Sequence, residues 1–291
     1  MNETHSQHRD SVWQADLMSL GLLVAFVLLV YNLETWVQPV FTQSTLILTG
    51  VILSLVPAVL WLAFFYRRDR LEPEPKSMVI QVFFLGGLLA AALGIPLVEN
   101  IFNISEWLYS SLWTRLLGGI LVVGFTQEFL KYAAVRWTVY KTEEFDEPVD
   151  GIIYATAAGL GYAAMLNILF VIESGGVDLG AGVIRITIIS LAHASFAGVV
   201  GYFLGIEKFQ NRPAWFTSLG VVIAAVLNGV FFTLRGAVIT SGLSQANVWL
   251  GFILAAILAG ITTYFLSTAI NRQLAASDAG VPTVSIGGGA K

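Results

Sequence analysis

The chain has 291 residues, of which 56% are hydrophobic and only 12% are charged, and its mean hydropathy is +0.77. Soluble chains carry about 25% charged residues, so this composition excludes an ordinary soluble domain and indicates a polytopic membrane protein. The net charge of −4 leaves no basic excess for binding nucleic acid, and the absence of cysteine excludes disulfides, thiolate catalysis and Cys-ligated zinc.

Eight hydrophobic segments, each long enough to cross a hydrocarbon core of about 30 Å, follow one another along the chain. The predicted spans lie near residues 17–37, 45–66, 78–98, 115–138, 150–172, 183–205, 215–235 and 248–270. The first is interpreted as a retained span rather than a signal peptide, because Asp16 precedes it and no small-residue cleavage site follows. The sequence therefore predicts an all-α transmembrane helical bundle.

Basic residues gather in alternate loops, which indicates the orientation of the bundle. They are Arg67, Arg68, Arg70 and Lys76 after the second span, Lys141 after the fourth, Lys208 and Arg212 after the sixth, and Arg272 and Lys291 after the eighth. The positive-inside rule then predicts that both termini are cytoplasmic. We expect a cytoplasmic tail over 1–16, one bundle domain over 17–270 and a disordered tail over 271–291.

The fourth predicted span carries three polar side chains on one helical face. Lys131 follows Gln127 by four residues and Glu128 by three, so the three share a face. A charge inside a membrane span costs about 2.5–3.5 kcal/mol on insertion scales, so each one needs a partner or a function. One interpretation is purely structural, with Glu128 and Lys131 neutralising each other toward the bundle interior.

Three further polar side chains occupy the next three spans, namely Asn167, His193 and Asn228. Taken singly, each amide is typical of contacts between helices, and a lone buried histidine is usually a hydrogen-bond partner. Taken together with the fourth span, they indicate a polar chamber inside the membrane. Such chambers serve proton relays, solute paths or hydrolysis of a peptide bond.

Several motifs, met in order between about residues 45 and 235, resemble one family. The run YRRDRLEPEP at 66–75 resembles the cytoplasmic signature of PrsW-type intramembrane proteases, which are distant relatives of the CAAX-prenyl proteases. QEFLK at 127–131 is similar to that family's Glu-Glu-x-x-Lys motif. The segment 150–167, which begins with DGIIY and ends with Asn167, is similar to the family's Asp-Gly-x-x-Tyr…Glu-Asn segment. HASF at 193–196 resembles a histidine segment, and LNG at 227–229 aligns with a final His-Gly pair.

The resemblance implies a hydrolytic site, metal-dependent or glutamate-based, made of carboxylates and histidines. The positions that match the motifs, and for which it implies catalytic roles, are Glu128, Lys131, Asn167 and His193; Glu128 and His193 are also candidate metal ligands. The positions that depart from the motifs are Gln127, Leu166 and Asn228, which replace Glu, Glu and His. Catalytic zinc usually takes three strong protein ligands, and Glu128 and His193 supply two. The expected cofactor is therefore either none or zinc.

Three interpretations stay open. In the first, the chain has the protease fold with an impaired site and binds transmembrane or membrane-associated protein partners. In the second, it is an active peptidase in which Glu128 is the base and His193, Asn167 and Asn228 stabilise the reacting group. The third is a proton-coupled carrier, which the lack of an obvious inverted repeat disfavours. We expect the chain to lie in the lipid bilayer of a prokaryotic plasma membrane. We also expect it to take a transmembrane protein as its substrate or client.

Overall fold

The computed structural model describes residues 21–33, 42–66, 74–176 and 179–240 without interruption, with a few single positions at 18, 36–37 and between 250 and 268. The two predicted tails and the charged run at 67–73 lie outside the described residues, as do the ends of the first predicted span and most of the eighth. The site and its surroundings lie inside them.

All regular structure in the described part of the chain is helical, so the predicted all-α class is confirmed. The helices are α1 (Gly21–Leu33), α2 (Gln43–Tyr66), α3 (Lys76–Leu89), α4 (Ile104–Trp107), α5 (Leu112–Gly118), α6 (Phe125–Arg136), α7 (Pro148–Glu173), α8 (Leu179–Phe209) and α9 (Trp215–Thr240). Helix α3 continues through two π-helical turns, Ala90–Gly94 and Pro96–Ile101, and a third, Gly119–Gly124, joins α5 to α6.

Five of the described helices are long and apolar enough to cross a membrane. They cover Gln43–Phe64, Lys76–Ile101, Pro148–Glu173, Gly182–Phe209 and Trp215–Thr233. These are the second, third, fifth, sixth and seventh predicted spans, so a multi-pass helical membrane protein is established.

In the described part of the chain, the first and fourth predicted spans do not reach that standard, and most of the eighth lies outside it. The fourth is a continuous helical run from Leu112 to Arg136, but its polar and charged residues reduce its hydropathy. For the first, the described helix covers only Gly21–Leu33. The total of eight stays a prediction.

Local sequence explains where two of the site-bearing helices begin. Helix α5 starts with a capping box, in which the Thr114 amide donates to Ser111 Oγ over 3.1 Å and the Ser111 amide donates to Thr114 Oγ1 over 2.9 Å. Helix α7 starts with a similar reciprocal pair between Glu147 and Asp150, with Pro148 at the first helical position. Both caps satisfy amide groups that have no partner inside the helix.

Small residues bring the central helices into backbone contact. A Cβ atom on Gly201 of α8 would collide with the Gly151 carbonyl of α7, and one on Gly205 would collide with the Pro148 carbonyl. On the other side of α7, a Cβ on Gly161 would collide with the Phe83 carbonyl of α3. Small residues of this kind let helices approach closely, and α7 and α8 form the buried centre of the bundle.

The π-helical turns lie where the bundle encloses a cavity. Pro96 has no amide hydrogen and so cannot continue a regular hydrogen-bond ladder, which accounts for one departure from α-helical geometry. Gly94, Val98 and Val123, all in these turns, line the cavity. Wide turns of this kind are common at functional sites.

Candidate functional site

Glu128 and Lys131 form an ion pair in the interior of the bundle. Lys131 Nζ lies 2.6 Å from Glu128 Oε1, and both side chains are fully enclosed. Their spacing of three residues on α6 brings them together, so the expected pairing toward the interior is confirmed. Mutual neutralisation offsets part of the cost of removing two charges from water.

His193 of α8 joins this pair through its ring nitrogen. Lys131 Nζ lies 3.0 Å from His193 Nδ1, and the ring stacks against Tyr162 of α7 with centroids 5.6 Å apart. A lysine ammonium can only donate hydrogen bonds, so Nδ1 is the acceptor and the neutral ring carries its proton on Nε2. The ion pair therefore fixes the tautomer of the histidine.

Asn228 of α9 completes the network from the other side. Its Nδ2 donates to Glu128 Oε1 over 2.7 Å and to Gln127 Oε1 over 3.0 Å. Both of its amide hydrogens are used. Glu128 Oε1 therefore accepts from Lys131 and Asn228, while Oε2 is buried without a hydrogen-bond partner.

Asn167 lies outside this network, although the motif resemblance implies a catalytic role for it. Its Nδ2 donates to the Ile186 carbonyl over 3.2 Å and to Ser190 Oγ over 3.4 Å, and Arg185 donates to its Oδ1 over 3.4 Å. These contacts connect α7 to α8, as interhelical amides commonly do. A catalytic role for Asn167 stays a prediction.

A cavity of about 540 Å³ lies beside the network. Gln127, Leu166 and Asn228, the three positions that depart from the motifs, line it together with His193. Glu128 is fully enclosed and does not line it. Gln127, Leu166 and Asn228 thus form part of the cavity wall, and the Glu128 carboxylate lies behind it.

The opposite end of the cavity is charged. Glu99 and Glu173 line it there and are exposed, while Arg185 is half-buried. Sequence reasoning missed these side chains, together with Tyr162. Glu99 and Glu173 lie at the ends of predicted spans, where charged residues are ordinary. The one feature of the sequence that could have pointed to them is that both span ends fall on the same side of the bundle.

The donor set does not fit a catalytic metal ion. His193 Nδ1 and Glu128 Oε1 already accept from the Lys131 ammonium, and Gln127 and Asn228 offer only neutral amides, which are not among the usual zinc ligands. Within the described residues, no three His, Asp or Glu side chains are grouped so that they could hold a metal. Catalytic zinc usually requires three such ligands.

The fold and the site together define a multi-pass helical membrane protein with a polar network and a cavity between its spans. The sequence model of the PrsW family intramembrane metalloproteases matches residues 74–258, and the chain belongs to this family. The family assignment made from the motifs is confirmed.

Curated relatives agree with this assignment. The chain is 30% identical to Protease PrsW of Geobacillus kaustophilus over 179 residues, which is 61% of this chain and 76% of that protein. It is 31% identical to Protease PrsW of Oceanobacillus iheyensis over 185 residues, covering 63% and 81%, and 29% identical to that of Bacillus subtilis over 181 residues, covering 61% and 78%. No solved structure matches the chain.

Proposed function

We propose that this chain binds segments of membrane proteins in its cavity and that its hydrolytic activity is impaired. The observation that carries the proposal is the position of the substituted residues. Gln127, Leu166 and Asn228 line the cavity, where reacting groups would be needed, and none of the three is a general base or a strong metal ligand.

The environment of Glu128 supports the same conclusion. A general base must reach the proton that it removes, either directly or through one water. The Glu128 carboxylate is fully enclosed, and its Oε1 accepts hydrogen bonds from an ammonium and an amide. Loss of general-base catalysis alone costs about 10²–10⁴-fold in rate.

Photo-crosslinking of the full chain in lipid nanodiscs tests this proposal. A photoreactive amino acid replaces Leu169, which lines the cavity, and a model transmembrane segment is added. The expected result is a crosslinked, uncleaved segment. The matched control replaces Phe84, which is 69% exposed on the outside of α3, and is expected to crosslink mainly to lipid. Cleavage of the segment that disappears in a folded Glu128→Ala variant would overturn the proposal.

An active peptidase with Glu128 as its base is the second candidate, because Glu128 Oε2 is buried without a hydrogen-bond partner. A buried polar atom of this kind is a place where an ordered water is expected. In this case the model segment is cut, the cutting is lost on Glu128→Gln, and it continues after treatment with a chelator. The same assay therefore separates the two candidates.

We also propose eight spans with both termini in the cytoplasm of a prokaryotic cell. The alternation of basic loops supports this orientation, and the curated relatives named above are bacterial. Because the natural sequence contains no cysteine, a single introduced cysteine reports its own side of the membrane. Ser6→Cys and Ser277→Cys are expected to be protected from an impermeant thiol reagent in intact cells, whereas Ser174→Cys is expected to react.

A further inference from the structure

The hydrogen bonds of Asn228 fix the orientation of the Gln127 amide. A carboxylate accepts, so the atom of Asn228 that contacts Glu128 Oε1 is the nitrogen. Its second hydrogen is donated to Gln127 over 3.0 Å, so the atom of Gln127 facing Asn228 is the oxygen. Gln127 Nε2 is therefore left to serve a partner in the cavity, which this residue lines.

His193 adds no acceptor nitrogen to the same wall. Its Nδ1 already accepts from Lys131, and the tautomer that this bond imposes carries a proton on the other nitrogen. Both hydrogens on Asn228 Nδ2 are also used. The network thus presents the cavity with a hydrogen-bond donor at Gln127, which can bind a ligand atom that accepts, such as a carbonyl oxygen.

The charged end of the cavity restricts which carbonyl compound fits. Glu99 and Glu173 both line that end, and both side chains are exposed. Arg185, which also lines that end, already donates to Asn167 and lies over the Phe170 ring at 3.4 Å. An anionic carboxylate or phosphate is disfavoured beside two carboxylates, whereas a cationic side chain is favoured.

The length of the cavity sets the distance between the hydrogen-bond donor at Gln127 and the two carboxylates at the charged end. Arg185 and His193 lie eight positions apart on α8, which corresponds to about 12 Å along the helix. Extended peptide rises about 3.3 Å per residue, so three or four residues cover this distance. Between the two ends the walls are mainly apolar, with Leu169 and Phe196 among them.

We infer that the cavity binds an extended, apolar peptide segment, with one backbone carbonyl accepting from Gln127 Nε2 and a Lys or Arg three or four residues away paired with Glu99 and Glu173. This inference rests on the proposed function, because it names the class of protein segment that the cavity takes. It assigns specificity to the two carboxylates and positioning of the bound backbone to Gln127.

Binding of synthetic peptides to the full chain in nanodiscs tests the inference. The first peptide contains alanine and leucine with one lysine; in two matched peptides, norleucine or glutamate replaces the lysine. The lysine peptide is expected to bind about fivefold more tightly than the norleucine peptide, and the glutamate peptide more weakly than both. In a Glu99→Gln, Glu173→Gln double variant, the lysine, norleucine and glutamate peptides are expected to bind with similar affinities, because the charge that distinguishes them is gone.

Variants at Gln127 test the carbonyl contact. Gln127→Met removes the donor, and all three peptides are expected to bind about five- to tenfold more weakly. Gln127→Glu keeps the acceptor for Asn228 while removing the donor, and serves as the second variant if the first is unstable. The control is Glu106→Gln, which changes an exposed carboxylate of α4 that does not line the cavity and is expected to alter nothing.

The possible failures are distinguishable. If none of the peptides binds the natural chain, the proposed function itself fails. If they bind, but with equal affinity whatever the flanking charge and regardless of Gln127→Met, the inference is overturned and the proposed function stands. Displacement of all three peptides by a short-chain phosphatidylcholine, without any effect of the Glu99 and Glu173 substitutions, would assign the cavity to lipid and also overturn it.

Discussion

The Lys131 ammonium lies 3.0 Å from His193 Nδ1, although the two residues are 62 positions apart in the chain. The same ammonium contacts Glu128. The lysine side chain therefore lies between the two side chains that the motif resemblance implies as metal ligands. Its charge is balanced inside the bundle by Glu128. One carboxylate oxygen of Glu128 and one ring nitrogen of His193 are therefore already engaged by the lysine.

Metal content is the first prediction. We expect purified natural protein to hold no stoichiometric zinc, because the described network offers two strong ligands, Glu128 and His193, and both contact Lys131. A triple variant, Gln127→Glu, Leu166→Glu and Asn228→His, adds three donors to the cavity wall and is expected to gain zinc, measured by elemental mass spectrometry. Stoichiometric zinc in the natural protein that disappears on His193→Ala would contradict this prediction.

Removing the lysine is expected to destabilise the bundle strongly. Lys131→Met leaves the enclosed Glu128 carboxylate without its ion pair, which typically costs about 3–5 kcal/mol. Adding Glu128→Gln to that variant is expected to restore most of the loss, because no uncompensated charge then stays buried. Thermal unfolding in detergent measures the effect, with Lys141→Met as the control at an exposed lysine. Equal effects of the two single lysine variants would show that the buried pair contributes little.

The tautomer of His193 is a separate readout of the same contact. Nitrogen-15 spectra are expected to show an unprotonated Nδ1 and a protonated Nε2 in the natural protein, because the Lys131 ammonium can only donate. In Lys131→Met this constraint is lost, and a mixture of tautomers is expected. His193→Gln identifies the signal among the three histidines of the chain. A protonated Nδ1 in the natural protein would contradict the structure.

Backbone contact between α7 and α8 predicts a strong position dependence for added methyl groups. Gly201→Ala places a Cβ against the Gly151 carbonyl and is expected to destabilise the protein by about 1–3 kcal/mol, as overpacking commonly does. Gly21→Ala in α1 is the control, since nothing lies within 4 Å of its added Cβ. Thermal midpoints compare the two variants. A larger loss at Gly21 would rule out the close approach as the cause.

Hydropathy and helical spacing by themselves determined the membrane class, five of the spans and the pairing of Glu128 with Lys131. These are local properties: an apolar run long enough for the bilayer must span it, and residues three apart on a helix share a face. The ordered motifs also determined the family, now confirmed by the matched sequence model.

Only the tertiary structure decided how each helix is rotated toward its neighbours. That rotation places Gln127 at the cavity but Glu128 behind it, and turns Asn167 toward Ile186 and Ser190 rather than toward the network. Sequence cannot supply this choice, because in the central helices nearly every face is apolar or small, so periodicity does not mark an inner side. Packing of glycine against backbone fixes the rotation, and the rotation selects which polar groups meet.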